Sequence, residues 1–274
     1  MALLKVLWPL FLDTFKKEVR SKSVLLFVAV MIMMAVISFF LKNAFQEGAD
    51  QLFSYLHKTC LENAPFWIGF FFAAAVGSST MRSDLKSSVA MQIAAFALPS
   101  WAYVATRIVG AWAVVMIYEV LFVAGLFLLS WGIFPDSIWR EAMGNLHFAW
   151  GWGLGSAGIY LLAVVLVAAI LAMYFKELVA LVMVYVFYLI SLVGGYGFFQ
   201  ADHPEFGVKS IVGTLFNLVL PPITWFSSIV MRSFEEQAAP LTPREIIYLI
   251  WSLLLMGGWI WLLGKILRRK NYQV

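Results

Sequence analysis

Residues Ile108–Pro135 read IVGAWAVVMIYEVLFVAGLFLLSWGIFP, with a single charge, Glu119, in their whole length. A helix that crosses the hydrocarbon core of a bilayer needs about 20 apolar residues. This stretch is long enough to span and still tilt or extend beyond the lipid. Five further runs carry no Asp, Glu, Lys or Arg: Ser23–Leu41, Asn63–Met81, Phe148–Phe175, Leu178–Gln200 and Ile246–Gly264. Apolar residues surround most of these segments, so length decides the assignment rather than a helical face. The expected fold class is all-α: a polytopic membrane protein with six transmembrane helices in one domain covering residues 1–274.

Composition agrees. Apolar residues make up 63% of the chain and charged residues 12%, too few polar groups to cover a water-facing surface. That excludes a soluble globular enzyme. The formal charge of +4 comes from 19 basic and 15 acidic groups dispersed along the chain, with no long basic tract of the kind that binds nucleic acid. The single Cys60 closes no disulfide within the chain and forms no Cys-based zinc site.

Ser210–Met231 is a seventh uncharged run, but Pro221-Pro222 interrupts its middle, and proline removes an amide donor and clashes with the preceding turn. Charge placement decides its role. With six spans and both termini inside, thirteen Lys and Arg fall on the inner side, including Lys16, Lys17, Arg20, Arg82, Arg107, Lys176 and Lys265, and six fall outside. A seventh span would send the basic tail Lys265–Lys270 outward. Residues 210–231 are therefore expected to form an outer re-entrant hairpin with Pro221 and Pro222 at its break. Ahead of the first span, apolar Ala2–Leu12 precedes Lys16, Lys17, Glu18, Arg20 and Lys22. A secretory signal has the opposite order. Residues 1–22 read instead as an interfacial amphipathic helix with its basic groups at lipid headgroups.

Gly153, Gly155 and Gly158 spell G-x-G-x-x-G, but inside an expected transmembrane helix rather than after a strand. Gly151 and Gly155 read there as a G-x-x-x-G helix-packing pair. No phosphate-binding loop, H-E-x-x-H or G-x-S-x-G occurs, and no catalytic residue or metal site is expected. Asp202, His203 and Glu205 read as a solvated loop tip.

Two features stand out. Glu119 lies deep in the third span, where a charge must face the bundle, a subunit interface or a water-filled path. Arg107 is twelve residues away, about 18 Å along a helix, too far to pair with it. The second feature is the inner connection 81–103. It carries Arg82, Asp84, Lys86, Ser87 and Ser88, then apolar Val89–Leu98, then Pro99, Trp101 and Tyr103. A plain connection needs only a few residues, so this one reads as a docking element.

In this layout the chain resembles the permease subunits of ABC-2 type ATP-binding-cassette transporters. Lys17-Glu18-Val19-Arg20-Ser21-Lys22 is similar to the run that ends the family's elbow helix. The order Asp84, Ser87-Ser88, Leu98-Pro99-Ser100, Tyr103, Arg107 resembles its coupling region, with Ser87-Ser88 where the family has Gly-Thr. Single-domain members of this size are similar to the nitrous oxide reductase maturation permease and to antibiotic and sodium exporter permeases.

The resemblance implies a homodimeric permease in the bacterial inner membrane, both termini cytoplasmic, exporting a substrate with energy from two copies of a separate ATPase. It also admits a periplasmic accessory protein. ATP and Mg would sit on the ATPase, with no cofactor in this chain. ATPase coupling would fall to Arg82, Asp84, Lys86 and Ser87, and to Lys176 and Glu177 between spans four and five. Glu119, Pro221 and Pro222 would line the pathway or gate. Two other classes stay open: an ATPase-independent secondary transporter or channel using Glu119, and an intramembrane enzyme, for which Glu235-Glu236 is the nearest candidate pair.

Overall fold

The computed structural model describes residues 2–20, 28–30, 32–33, 36–37, 52, 54–56, 58–86, 99–144, 149–193, 211, 215, 218–233 and 242–271. Its elements are all helical: α1 (Ala2–Val19), a π-helical segment (Lys58–Gly69), α2 (Phe70–Lys86), α3 (Ser100–Ile133), α4 (Asp136–Gly144), α5 (Ala149–Ala172), α6 (Glu177–Val193), α7 (Ile223–Ser233) and α8 (Pro243–Asn271). Among the described residues, four helical stretches are long and apolar enough to cross a membrane: Ala64–Arg82, Ser100–Ile133, Gly155–Ala172 and Glu245–Arg269. They mark a multi-pass membrane protein. A shorter apolar helix, Glu177–Ile190, covers part of the expected fifth span. Most of Ser23–Leu41 lies outside the described residues, and those described there are helical.

Helical boundaries differ from the sequence expectation at two connections. The second span does not end at Met81: α2 continues to Lys86, placing Arg82, Asp84 and Lys86 on a helical extension rather than a loop. The third span begins at Ser100 rather than Ile108, because Pro99, in extended conformation, ends the connection and its carbonyl accepts the first helical bonds from Ala102 and Tyr103. At 34 residues α3 is about 51 Å long, well beyond the hydrocarbon core. The expected coupling region 81–103 is thus helical over 81–86 and from Ser100 onward, and Ser87, with the rest of 87–98, lies outside the described residues. The last helix also starts earlier than Ile246. Thr242 and Glu245 form a capping box, the Thr242 amide donating to Glu245 Oε2 at 2.8 Å and the Glu245 amide to Thr242 Oγ1 at 3.3 Å, with Pro243 at the first helical position.

The centre of the bundle is α2 against α5, its most extensive helix–helix contact. In lipid, helices gain little from hydrophobic association and depend on close packing. Gly77 supplies it: a Cβ there would lie 2.6 Å from the Val165 carbonyl oxygen and 2.9 Å from Ala168 Cβ. At Gly158 a Cβ would meet only side-chain ends, the nearest Met116 Cε at 3.3 Å, and Trp112 Nε1 of α3 donates to the Gly158 carbonyl at 2.8 Å. Gly155, by contrast, meets nothing within 4 Å among the described residues. At the periphery, α8 has 22% of its apolar window buried against 78% for α5, and exposes Ile247 and Leu254. It meets α3 near Gly264, where a Cβ would sit 2.7 Å from the Trp101 amide nitrogen.

Residues 218–233 break at Pro221-Pro222, as the two prolines require. Both are buried, and α7 starts from the Pro222 carbonyl, which accepts from the Phe226 amide at 3.1 Å. α7 packs on α5, with Trp225 against Tyr248 of α8 at 4.6 Å between ring centroids.

Gly77→Val should destabilise the protein by about 1–3 kcal/mol, because the obstacle is backbone that cannot move aside. Gly155→Ala should change stability by about 0.5 kcal/mol or less. Thermal unfolding in detergent measures both, and equal losses would refute this account of the packing.

Candidate functional site

Two regions collect the polar groups of the described bundle. The first is the end formed by the C-termini of α1 and α2, the N-terminus of α3, the α5–α6 turn and the C-terminus of α8. Lys16, Lys17, Arg20, Arg82, Arg107, Lys176, Lys265, Arg268 and Arg269 all fall in these segments. It is the basic end of the molecule.

Here α1 lies along α3 and touches α2. Thr14 meets Gly110, where a Cβ would lie 3.0 Å from Thr14 Cβ. Arg107 is buried and satisfied: Nη1 donates to Thr14 Oγ1 at 2.8 Å and reaches Asp13 Oδ2 at 3.5 Å, while Nε donates to Tyr103 Oη at 3.2 Å. Lys17 and Arg20 are exposed, as an interfacial helix requires, but Glu18 between them is buried. Sequence reasoning grouped Glu18 with the headgroup-facing run. The structure turns it inward onto α2, with Ser79 Oγ 3.0 Å from Oε2 and Thr80 Oγ1 3.1 Å from Oε1.

The hydrogen count at Glu18 is informative. Thr80 Oγ1 is also 2.7 Å from the Val76 carbonyl oxygen, and Ser79 Oγ is 3.0 Å from the same atom. Each hydroxyl has one proton. Two hydroxyl protons serve four close oxygen contacts, so a proton on the Glu18 carboxyl supplies one of the contacts they leave unmade. Burial pushes the Glu18 carboxyl above its ordinary range, while the hydroxyls of Ser79 and Thr80 and the charges of Lys17 and Arg107 partly oppose the shift.

On the same end, Arg82, Lys176 and Glu177 line one cleft of about 460 Å³ together with Ala75, Ser78, Leu178 and Leu181. The cleft brings the end of α2 beside the α5–α6 turn, nearly a hundred residues later in the chain. Arg82 Nε is buried in it without a hydrogen-bond partner. Asp84 and Lys86 fall on the last turn of α2.

The second region is the surroundings of Glu119 in mid-α3. Glu119 is 4% exposed and forms no ion pair among the described residues; its Oε1 has no hydrogen-bond partner. Nearby, the Tyr160 hydroxyl is likewise buried and unpartnered, within electrostatic reach of Glu119 and Tyr188. A pocket of about 310 Å³ opens beside Glu119 between the π-helical segment, α2 and α3, with Val30 completing its wall. Nothing in the sequence pointed to this pocket, because its walls come from three separate stretches.

Pro221 and Pro222 lie elsewhere, against α5 through α7, and do not line either space. Among the described residues no cluster of His, Cys, Asp and Glu could hold a metal ion. Asp202, His203, Glu205 and Glu235-Glu236 lie outside the described residues. No protein-family model, curated protein or solved structure matches this chain.

A raised carboxyl favours the docked form of α1 when protonated. Docking should therefore strengthen as pH falls and weaken as pH rises above the ordinary carboxylate range and Glu18 ionises. Hydrogen exchange of α1 amides in nanodiscs reads this directly. Glu18→Gln should flatten the profile and keep α1 docked; protection that rises with pH would refute the assignment.

Proposed function

We propose that the chain is the membrane-spanning permease subunit of an ABC transporter of the ABC-2 type, moving its substrate, in the export direction, with energy from a separate ATPase. In this reading it has six spans, both termini cytoplasmic, an elbow helix at its start, and an outer re-entrant segment broken at Pro221-Pro222. It sits in the bacterial inner membrane as a homodimer with two ATPase copies that carry the ATP and Mg.

The observation that carries the proposal is the cleft at the basic end. Its Arg82, Lys176 and Glu177 are the residues that a partner ATPase would contact if the resemblance holds, and they come from two connections far apart in sequence. Arg82 carries a buried Nε with no acceptor among the described residues, and a guanidinium at the cleft favours a carboxylate from a partner. Basic residues concentrate on this end, which the positive-inside rule assigns to the cytoplasm. The chain has no phosphate-binding loop, so work from ATP has to arrive through differential contacts with another subunit in two conformations. α1, fixed to both α2 and α3 here, stiffens the end that would receive that push.

Affinity purification of the tagged permease from native membranes should recover an ATPase in equal stoichiometry. Arg82→Glu with Lys176→Glu should reduce its recovery to background while membrane insertion and the detergent elution profile stay as in the parent protein. Undiminished recovery would overturn the proposal.

A further inference from the structure

The pocket beside Glu119 has a composition that selects a ligand class. Its volume of about 310 Å³ is at the small end of the range of roughly 300–1,000 Å³ for small-molecule sites. Four aromatic side chains line it: Trp67, Phe71, Phe72 and Tyr118. Phe72 and Tyr118 meet edge to face at 5.1 Å, which fixes the wall between α2 and α3. Trp67 and Phe71 are 56% and 43% exposed on the outside of the described bundle, so the entrance faces the lipid side. Gly69 keeps the carboxyl accessible: a Cβ there would lie 3.0 Å from Glu119 Oε2.

We infer that this pocket binds a protonated amine carried on an apolar body, with Glu119 as its counter-ion and the aromatic rings around it as its cage. Three observations converge. The carboxyl is deeply buried, has an oxygen with no donor, and has no cation partner among the described residues. An ionised carboxylate in apolar surroundings is costly unless a cation accompanies it. Aromatic faces attract cations, more strongly once both are removed from water. A neutral hydrocarbon would fill the volume but leave Oε1 without a donor. An inorganic cation would lack the oxygen ligands it needs, because the other lining side chains, Tyr118 apart, are apolar or glycine. An amine N–H donates to the Glu119 carboxylate, its charge meets the carboxylate and the rings, and its apolar portion occupies the rest of the space. The site lies in α2 and α3 away from the basic end, and it binds its ligand whether or not an ATPase is attached.

The test uses the purified full-length protein in lipid nanodiscs, without any ATPase, and radiolabelled 2-phenylethylamine as the probe. 2-Phenylethanol and propylbenzene serve as competitors of similar shape, with a neutral donor and with none. The amine should bind saturably, and both competitors should be weaker by about tenfold or more, as expected when a buried charge partner is absent. Glu119→Gln should weaken amine binding by at least a similar factor and leave the competitors unaffected. Trp67→Leu, at an exposed position that leaves the core intact, should weaken it less. Absence of saturable amine binding, equal competition by propylbenzene, or full binding in a folded Glu119→Gln protein would each overturn the inference. If Glu119→Gln does not fold, the competitor series and Trp67→Leu decide it. Loss of ATPase co-purification alone would count against the permease reading and leave this one standing.

Discussion

The guanidinium of Arg107 is buried, and a cation removed from water must be matched by acceptors within the protein or cost several kcal/mol. Its acceptors come from two directions. Tyr103 lies one turn back on the same helix, and Thr14 and Asp13 lie on α1. Satisfying this one charge therefore requires α1 to lie against α3, and the absence of a side chain at Gly110 allows the approach. Once α1 is so placed, Glu18, one turn beyond Thr14, falls opposite Ser79 and Thr80 of α2. α1, whose Leu10, Phe15 and Val19 also pack on the core, is thereby fixed to two helices by polar contacts.

The same constraint has the opposite outcome at Glu119. A buried polar atom without a partner costs about 1–3 kcal/mol, and more when it carries charge. A leucine in that place would suit the neighbouring Phe72, Tyr118 and Leu161 without that cost. Packing alone gives no reason for the acid. The backbone nearby is also arranged to spare it, since Gly69 withholds the Cβ that would crowd Oε2. Arg107 and Glu119 thus sit on one helix under one physical rule. One is satisfied within the chain and helps to hold it together. The other is left open toward a cavity.

What the sequence made legible follows from which forces act locally. Run length identified α2, α3, α5 and α8 as membrane-length helices, because hydrocarbon thickness is a constraint on consecutive residues. Pro221-Pro222 predicted a break, because a missing amide acts within one turn. The end of the connection at Pro99 and the Thr242–Glu245 capping box were also local signals, and attending to them would have placed the starts of α3 and α8 correctly. Glu18 and Gly77 were different. Nothing near Glu18 in sequence says that it turns away from Lys17 and Arg20, since its partners are some sixty residues away. The importance of Gly77 depends on Val165 and Ala168, nearly ninety residues later in the chain. The cleft and the pocket were illegible for the same reason: each is lined by segments that only the tertiary fold brings together.

The two regions are joined by the helices that form them. α2 carries Ser79, Thr80 and Arg82 near one end and Phe71 and Phe72 toward the other, with Gly69 just before its first turn; α3 carries Tyr103 and Arg107 near one end and Tyr118 and Glu119 in its middle. From Ser79 back to Gly69 is about 15 Å of helix, and from Arg107 on to Glu119 about 18 Å, so the basic end and the pocket are separated by similar distances along both helices. α1 binds these helices together at the basic end through Glu18 and Arg107, and the Phe72–Tyr118 contact joins them at the pocket. Helices packed at this density move as units rather than deform continuously. A change in the angle between α2 and α3 at the basic end must therefore alter the separation of their walls beside Glu119. The fold thus places a carboxyl that has no cation partner among the described residues between the same two helices whose other ends are fixed by α1, which is the geometry a device needs if contacts at one face are to open or close a space within the membrane.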